Sequence, residues 1–235
     1  MYDYFQINNT ELETRFFPAT IQVREWINDG SIGDIINVDC NFGVKMPSIN
    51  DAPRLWENKL GGGALLDIGI YNIAALTMIF GPQMPDEIKC IGNIVNDVDS
   101  MFACLIKYND TKYATIHSTM HANTFEELSI VGTNGRIKIH IGQHAPTKIS
   151  MISDNDGTET TIKYKLPNNF KYPMYYGNAQ GLEYQCNEVI KCLDEGRIES
   201  PLNTWNDTQI SMQIMDEIRK QIGLTYNADK IKSKL

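Results

Sequence analysis

"EIKCIGNIVNDVDSMFACLIKYNDTKYATIHSTMHA", residues 87–122, decides the fold. The runs EIKCIGNIV, MFACLIKY and KYATIHSTMHA are rich in β-branched and apolar residues, and the joins between them are short and polar. The same texture continues through ELSIVG, RIKIHI, TKISMIS and TTIKYKL to about residue 166, punctuated by YNDTK, GTNG and SDNDGTE. Such runs bounded by turn residues read as strands. Connections this short join antiparallel neighbours, so a sheet of roughly six or more strands is expected. The alternation is loose, which predicts one face packed on helices and another that is partly apolar and open to a partner.

Outward from this meander the pattern turns helical. Ile21, Val23, Trp26 and Ile27 have helical spacing between Pro18 and Asp29, and DIINVDCNFGV then reads as one more strand. Residues 64–79 predict an apolar helix stopped by Gly81-Pro82. After the meander, Leu182, Val189, Ile190 and Leu193 form one helical stripe, and Ile210, Ile214, Met215, Ile218 and Ile222 form another that ends at Gly223. Helices at both ends of an antiparallel run make an α+β fold: an open-faced, mostly antiparallel sheet with helices on one face.

Composition removes several function classes. With 29 acidic against 21 basic residues the net charge is −8, so no basic footprint for nucleic acid is expected. No run approaches the roughly 18–20 apolar residues of a membrane span, and the N-terminus lacks a basic-then-apolar leader. The 5 cysteines, Cys40, Cys90, Cys104, Cys186 and Cys192, contain no CxxC pair and read as reduced thiols of a cytoplasmic protein. His117 and His121 form HxxxH, but on a strand that spacing spans about 13 Å, too far for one metal. His140 and His144 straddle a strand end and a turn, and no metal site is expected. Glu126-Glu127 and Asp97/Asp99 read as solvated turn charges.

The chemistry concentrates in 61-GGGALLDIGIYNIAALTMIFG-81. Asp67 and Tyr71 are four apart, so on a helix they share one face. Gly61, Gly62 and Gly63 open that helix and permit a ligand or another backbone to come close. The bland alternative is an acid complementing the helix dipole and a core tyrosine bonded to backbone. Arg54, in DAPRLWENKL, would reach substrate or cofactor phosphate, or make a surface ion pair.

TRFFPA, DGSIGDIINVDCNFG, RLWENKLGGGALLDIGIY, IFGPQMPDEI, NDVDS, IVGTNGRIKI, GLEYQCNEVIKCLDEGRIESP and MDEIRKQIGLTY occur in that order. Together they resemble the glucose–fructose/inositol/rhizopine family of NAD(P)-dependent oxidoreductases over nearly all of residues 14–229. The likeness is to its dimeric dihydrodiol dehydrogenase branch, which also oxidises D-xylose with NADP. The resemblance implies a C-terminal substrate and dimerisation domain over 14–235, a divergent segment over 1–13, and homodimers formed through the sheet face. It implies hydride transfer between a substrate carbon and NADP, with a trans-dihydrodiol or the anomeric hydroxyl of D-xylose as substrate. Tyr71 takes the acid/base role and Asp67 orients substrate or nicotinamide ribose. Phe42 and Tyr176 supply an aromatic wall, Arg54 a polar contact, and the glycines at 61–63 a cofactor approach.

Two departures from the family stand out. No GxGxxG, P-loop or EKP motif occurs, so the Rossmann domain and the lysine that favours phenolate are expected to be missing. The family's aromatic before TRFFP is replaced by Glu13. Two readings follow. One is the catalytic domain of a dehydrogenase, inactive by itself. The other is a cofactor-free binding or dimerisation module.

Overall fold

A computed structural model describes residues 12–168, 174 and 176–232. Most of the divergent segment expected over 1–13 lies outside the described residues.

The chain enters through a 3-10 turn at Glu13–Phe16 and helix α1 (Pro18–Asn28), with Pro18 in its first turn where no backbone donor is needed. Strand β1 (Ile35–Gly43) follows, then a short helix α2 (Pro53–Trp56), a 3-10 turn at Asn58–Leu60 and the glycine run. A π turn at Leu65–Gly69 leads into α3 (Ile70–Phe80). The meander is β2 (Glu87–Val95), β3 (Val98–Lys107), β4 (Tyr113–Thr119), β5 (Leu128–Gly132), β6 (Gly135–Ile139), β7 (Lys148–Ser153) and β8 (Glu159–Lys163). Helices α4 (Leu182–Asp194), α5 (Trp205–Ile222) and α6 (Asn227–Lys232) close the chain.

The strands form one 8-stranded sheet in the order β2-β3-β4-β1-β5-β6-β7-β8. The fold is therefore the α+β type expected, with one correction to neighbour order. β4 and β5 do not pair; β1 lies between them, parallel to β4 with Asn37 opposite Tyr113 and antiparallel to β5. Parallel neighbours require a long crossover, and α3 with the β2–β3 hairpin provides it. β1 is thus a central strand, which puts Phe42 in the middle of the sheet.

Inward residues of the sheet, among them Val38, Phe102, Ile106, Ile116 and Ile130, are buried against Ile73 and Leu76 of α3 and Ile214, Met215 and Ile218 of α5. The α5 stripe is core, as its spacing predicts, and Thr204 and Asp207 close a reciprocal capping box at its start. The α4 stripe is not. Leu182, Ile190 and Leu193 are exposed and only Cys192 of that helix is buried. Periodicity reports a face that can be covered, not whether another element covers it.

Two other expectations are corrected. The helical path Asn58–Phe80, at 23 residues and mean hydropathy 1.6, is long and apolar enough to cross a membrane by length and composition. In the fold 67% of that window is buried, so its apolar surface is used by the core. The thiols are not all free. Cys90 and Cys104 face each other directly across β2 and β3 and are joined as a disulfide, leaving Cys40, Cys186 and Cys192. Residues 14 apart in sequence become neighbours only through hairpin register.

Candidate functional site

Asp67 and Tyr71 do come together, though on a backbone the spacing did not predict. Asp67 lies within the π turn and Tyr71 in the first turn of α3. π turns inserted in helices are frequent at functional sites because they re-aim side chains. Both residues line two adjoining clefts, one of about 630 Å³ and one of about 610 Å³, within the range of small-ligand sites.

Gly62 and Gly63 are packing devices for this turn. A side chain at Gly62 would strike the carbonyls of Arg54 and Leu55. One at Gly63, where φ is +119°, would strike the Asp99 carboxylate. Their close approach is made to the protein's own chain, and none of Gly61, Gly62 and Gly63 is on the wall of either cleft. Asp99, expected as a solvated turn charge, is wholly buried and accepts the Leu65 N–H at 2.7 Å. It caps the opening turn, and its burial pushes its carboxyl up to about 7. Tyr226 donates to the Gly62 carbonyl at 2.8 Å, holding the loop from the C-terminal side.

The next anchor is Asn72, beside Tyr71 and fully buried. Its amide donates to the His117 carbonyl and to Ser118 Oγ, both at 3.1 Å, fixing α3 on β4. Its carbonyl accepts from Cys40 Sγ at 3.0 Å and from Gln143 Nε2 at 3.1 Å. The second bond ties α3 to the loop that carries His144.

Phe42 and Tyr176, expected as an aromatic wall, both line the larger cleft, together with the ring of His144. Phe42 meets the Tyr71 ring edge-on at 5.5 Å and stacks on the His144 imidazole at 4.6 Å. His144 also meets Tyr71 edge-on at 5.8 Å. Tyr176, half exposed, lines the mouth. Glu126 corrects its expected role as a solvated charge: it lines this cleft, sits at φ +49°, and lies 3.3 Å from His144 Nδ1. A non-glycine residue held in left-handed conformation inside a cleft is the kind of local strain that collects at functional sites.

Arg54 reaches the site through Asp67, donating to it at 2.6 Å, and lines the smaller cleft with Asp67 and Tyr71. It is the only lysine or arginine among the described residues lining either cleft. The larger one presents Glu13, Asp67 and Glu126, an acceptor-rich wall suited to hydroxyl donors. Burial, then Glu13, Tyr176 and Asp67, push the Tyr71 phenol well above its ordinary range, and Tyr71 hydrogen-bonds Glu13. The phenol is therefore a neutral donor here. Among the described residues no three His, Cys, Asp or Glu side chains are grouped to hold a metal.

The family model of the GFO/IDH/MocA C-terminal domain matches residues 20–138, about half of the chain. The chain belongs to that family. Among its relatives, a trans-1,2-dihydrobenzene-1,2-diol dehydrogenase of Xenopus tropicalis is 34% identical over 214 residues, 91% of this chain and 62% of that protein. The enzyme of the same name from Homo sapiens is 29% identical over 218 residues, 92% of this chain and 62% of that protein. The chain thus spans less than two thirds of the length of these relatives. Among solved structures, a levoglucosan dehydrogenase in complex with NADH and levoglucosan superposes with a TM-score of 0.75 at 17% identity, covering 94% of this chain and 65% of that one. An aldose-aldose oxidoreductase of Caulobacter crescentus complexed with glycerol gives 0.70 at 17% identity, covering 90% and 60%. These two likenesses establish the family's fold, with its open sheet and helices.

Tyr71, Asp67, Phe42, Tyr176 and Arg54, singled out from the sequence, all line one or both of these clefts. The sequence did not reveal Glu13, Glu126 and His144 as one wall, because each comes from a different segment; Glu13, where the resemblance implies an aromatic, was the one signal that pointed there.

Proposed function

We propose that this chain forms the substrate side of a nicotinamide-dependent dehydrogenase acting on a vicinal diol. A trans-dihydrodiol or the anomeric hydroxyl of D-xylose is the donor and NADP the acceptor. The observation that carries this reading is the shared wall: Tyr71 and Asp67 separate an aromatic, acceptor-rich cleft from one lined by Arg54, the hydroxyls of Thr208 and Ser211, and apolar side chains. The relatives' names support the substrate class, and the NADH bound to levoglucosan dehydrogenase supports a nicotinamide cofactor for the family.

The residues of the smaller cleft fit one face of a nicotinamide nucleoside. Arg54 offers donors, Asp67 an acceptor for ribose hydroxyls, and Leu66, Ile70 and Met212 a flat apolar surface. When bound, the nicotinamide supplies a two-electron hydride acceptor. In this reading the rest of its grip comes from a Rossmann unit outside these 235 residues.

The chain's own groups then have defined tasks. Phe42 and His144 stack against the C–H face of the substrate, and Glu126 and Asp67 accept from its hydroxyls. Tyr71 contacts the reacting oxygen. Two copies would pair through the outer sheet face, where Ile91, Met101 and Leu105 are exposed. A monomer by light scattering at micromolar concentration would remove that part of the reading.

The test is nicotinamide reduction by the native polypeptide with trans-dihydrodiols and D-xylose, beside calorimetry of diol binding. Tyr71→Phe is expected to cut turnover by about 10²–10⁴-fold while leaving binding nearly intact. Unchanged turnover would overturn the assignment of Tyr71. Diol binding with no turnover under any cofactor would favour a cofactor-free binding module, a reading consistent with a phenol held neutral.

A further inference from the structure

Among the described residues, a carboxylate is set against the Tyr71 hydroxyl. Glu13 is 5% exposed, lines the larger cleft and hydrogen-bonds the Tyr71 hydroxyl. Its position is fixed from several sides. Arg15, two residues on in the same 3-10 turn, is 2% exposed. It donates to the Ala74 carbonyl at 3.0 Å and to Thr77 Oγ1 at 2.6 Å, both on α3. It also pairs with Asp207 of α5 at 2.8 Å. Thr14 donates to the His144 carbonyl, joining the turn to the aromatic wall. The turn is thus clamped to the helix that carries Tyr71, and Glu13 is held in register with the phenol.

We propose that Glu13 is the proton-holding partner of Tyr71, so that substrate protons leave through a substrate–Tyr71–Glu13 relay. Glu13 is a positioning residue that acts through the phenol. This rests on the dehydrogenase reading above. A phenol already donating to a carboxylate has its oxygen lone pair free toward the cleft, where it accepts the substrate hydroxyl. On oxidation the substrate O–H bond breaks and its proton goes to Tyr71 Oη. The original Tyr71 proton passes to Glu13, and the C–H bond gives up its electron pair with hydrogen to an oxidised nicotinamide. One hydride and one proton leave the alcohol, and the proton resides on Glu13 until solvent takes it. No phenolate need form in this relay.

The relay has a signature in the acid limb of the pH profile. A base that works by phenolate is set by the tyrosine's own ionisation, whereas this one works only while Glu13 is unprotonated.

The experiment is tyrosine ionisation in this chain, followed by ultraviolet difference spectra and by NMR of Cζ-labelled tyrosine. Tyr71 is assigned by the signal lost in Tyr71→Phe. Glu13→Gln is expected to move the Tyr71 midpoint down by at least a tenfold change in proton concentration, and Glu13→Asp by less. Circular dichroism confirms that each variant folds. Should Glu13→Gln not fold, Glu13→Asp alone decides the matter by the same downward direction. A Tyr71 midpoint unmoved by whichever variants fold would overturn the proposal. This readout needs neither cofactor nor turnover, so it stands even if the dehydrogenase reading fails. If turnover is found, the acid limb of the kcat/KM profile should vanish in Glu13→Gln and persist in Glu13→Asp. Retention of that limb in Glu13→Gln would also overturn the relay.

Discussion

Replacing Asp99 by asparagine should change how stability depends on pH. The carboxyl is buried with no cation paired to it among the described residues, accepts the Leu65 N–H, and is pushed up to about 7 because burial disfavours its charge. In the unfolded chain the same carboxyl titrates near its ordinary value of 3.8. Between those two values the native protein holds a proton that the unfolded protein releases. Stability from this group is therefore full at the acid end and falls as pH rises, levelling above the native value. The gap corresponds to a loss on the order of 4 kcal/mol across the window. Asp99→Asn keeps a carbonyl to accept from Leu65 and cannot ionise. It adds a buried amide donor whose cost, roughly 1–3 kcal/mol if unsatisfied, is the same at every pH. The assay is guanidinium unfolding of both proteins from about pH 4 to about pH 8.5, comparing midpoints and slopes. The variant should gain on the parent steadily as pH rises from the acid end, then hold its advantage. A difference that stays constant across the range would show that Asp99 titrates normally, and the burial argument for the opening turn would fail.

Three further outcomes follow from other contacts. Arg15→Ala leaves the buried Asp207 uncompensated and should cost about 3–5 kcal/mol in chemical unfolding; a loss below about 1 kcal/mol would mean the pair is solvated. Arg54→Ala should change stability by no more than about 1 kcal/mol, since its side chain is 61% exposed, yet weaken diol or nucleotide binding by calorimetry. Equal binding in parent and variant would remove Arg54 from the site. Thiol titration of denatured, unreduced protein should find the 3 free cysteines and, after reduction, all 5. Closing the loop between residues 14 apart should contribute about 3 kcal/mol. Five thiols before reduction would show that Cys90 and Cys104 are not joined.

The sequence by itself determined the element types, the α+β class and the core of the final long helix, because those depend on local periodicity. It also marked Tyr71, Asp67, Phe42 and Arg54, since unusual polar residues in an apolar helix and a glycine-opened turn are visible without coordinates. Tertiary structure alone decided what surrounds them. Insertion of β1 between β4 and β5 is a long-range pairing that no local pattern encodes, and it is what brings Phe42 beneath Tyr71. The glycine run packs on Leu55 and the π turn it opens is held by Asp99, both from other segments. Burial separates Asp99 from Asp97 although both sit in one turn-like stretch, and it left the α4 stripe uncovered despite its helical spacing. Glu13, Glu126 and His144 meet at one wall from three distant parts of the chain. The state of the Tyr71 proton is set by burial and by Glu13, Tyr176 and Asp67, through distances in space that sequence order does not contain.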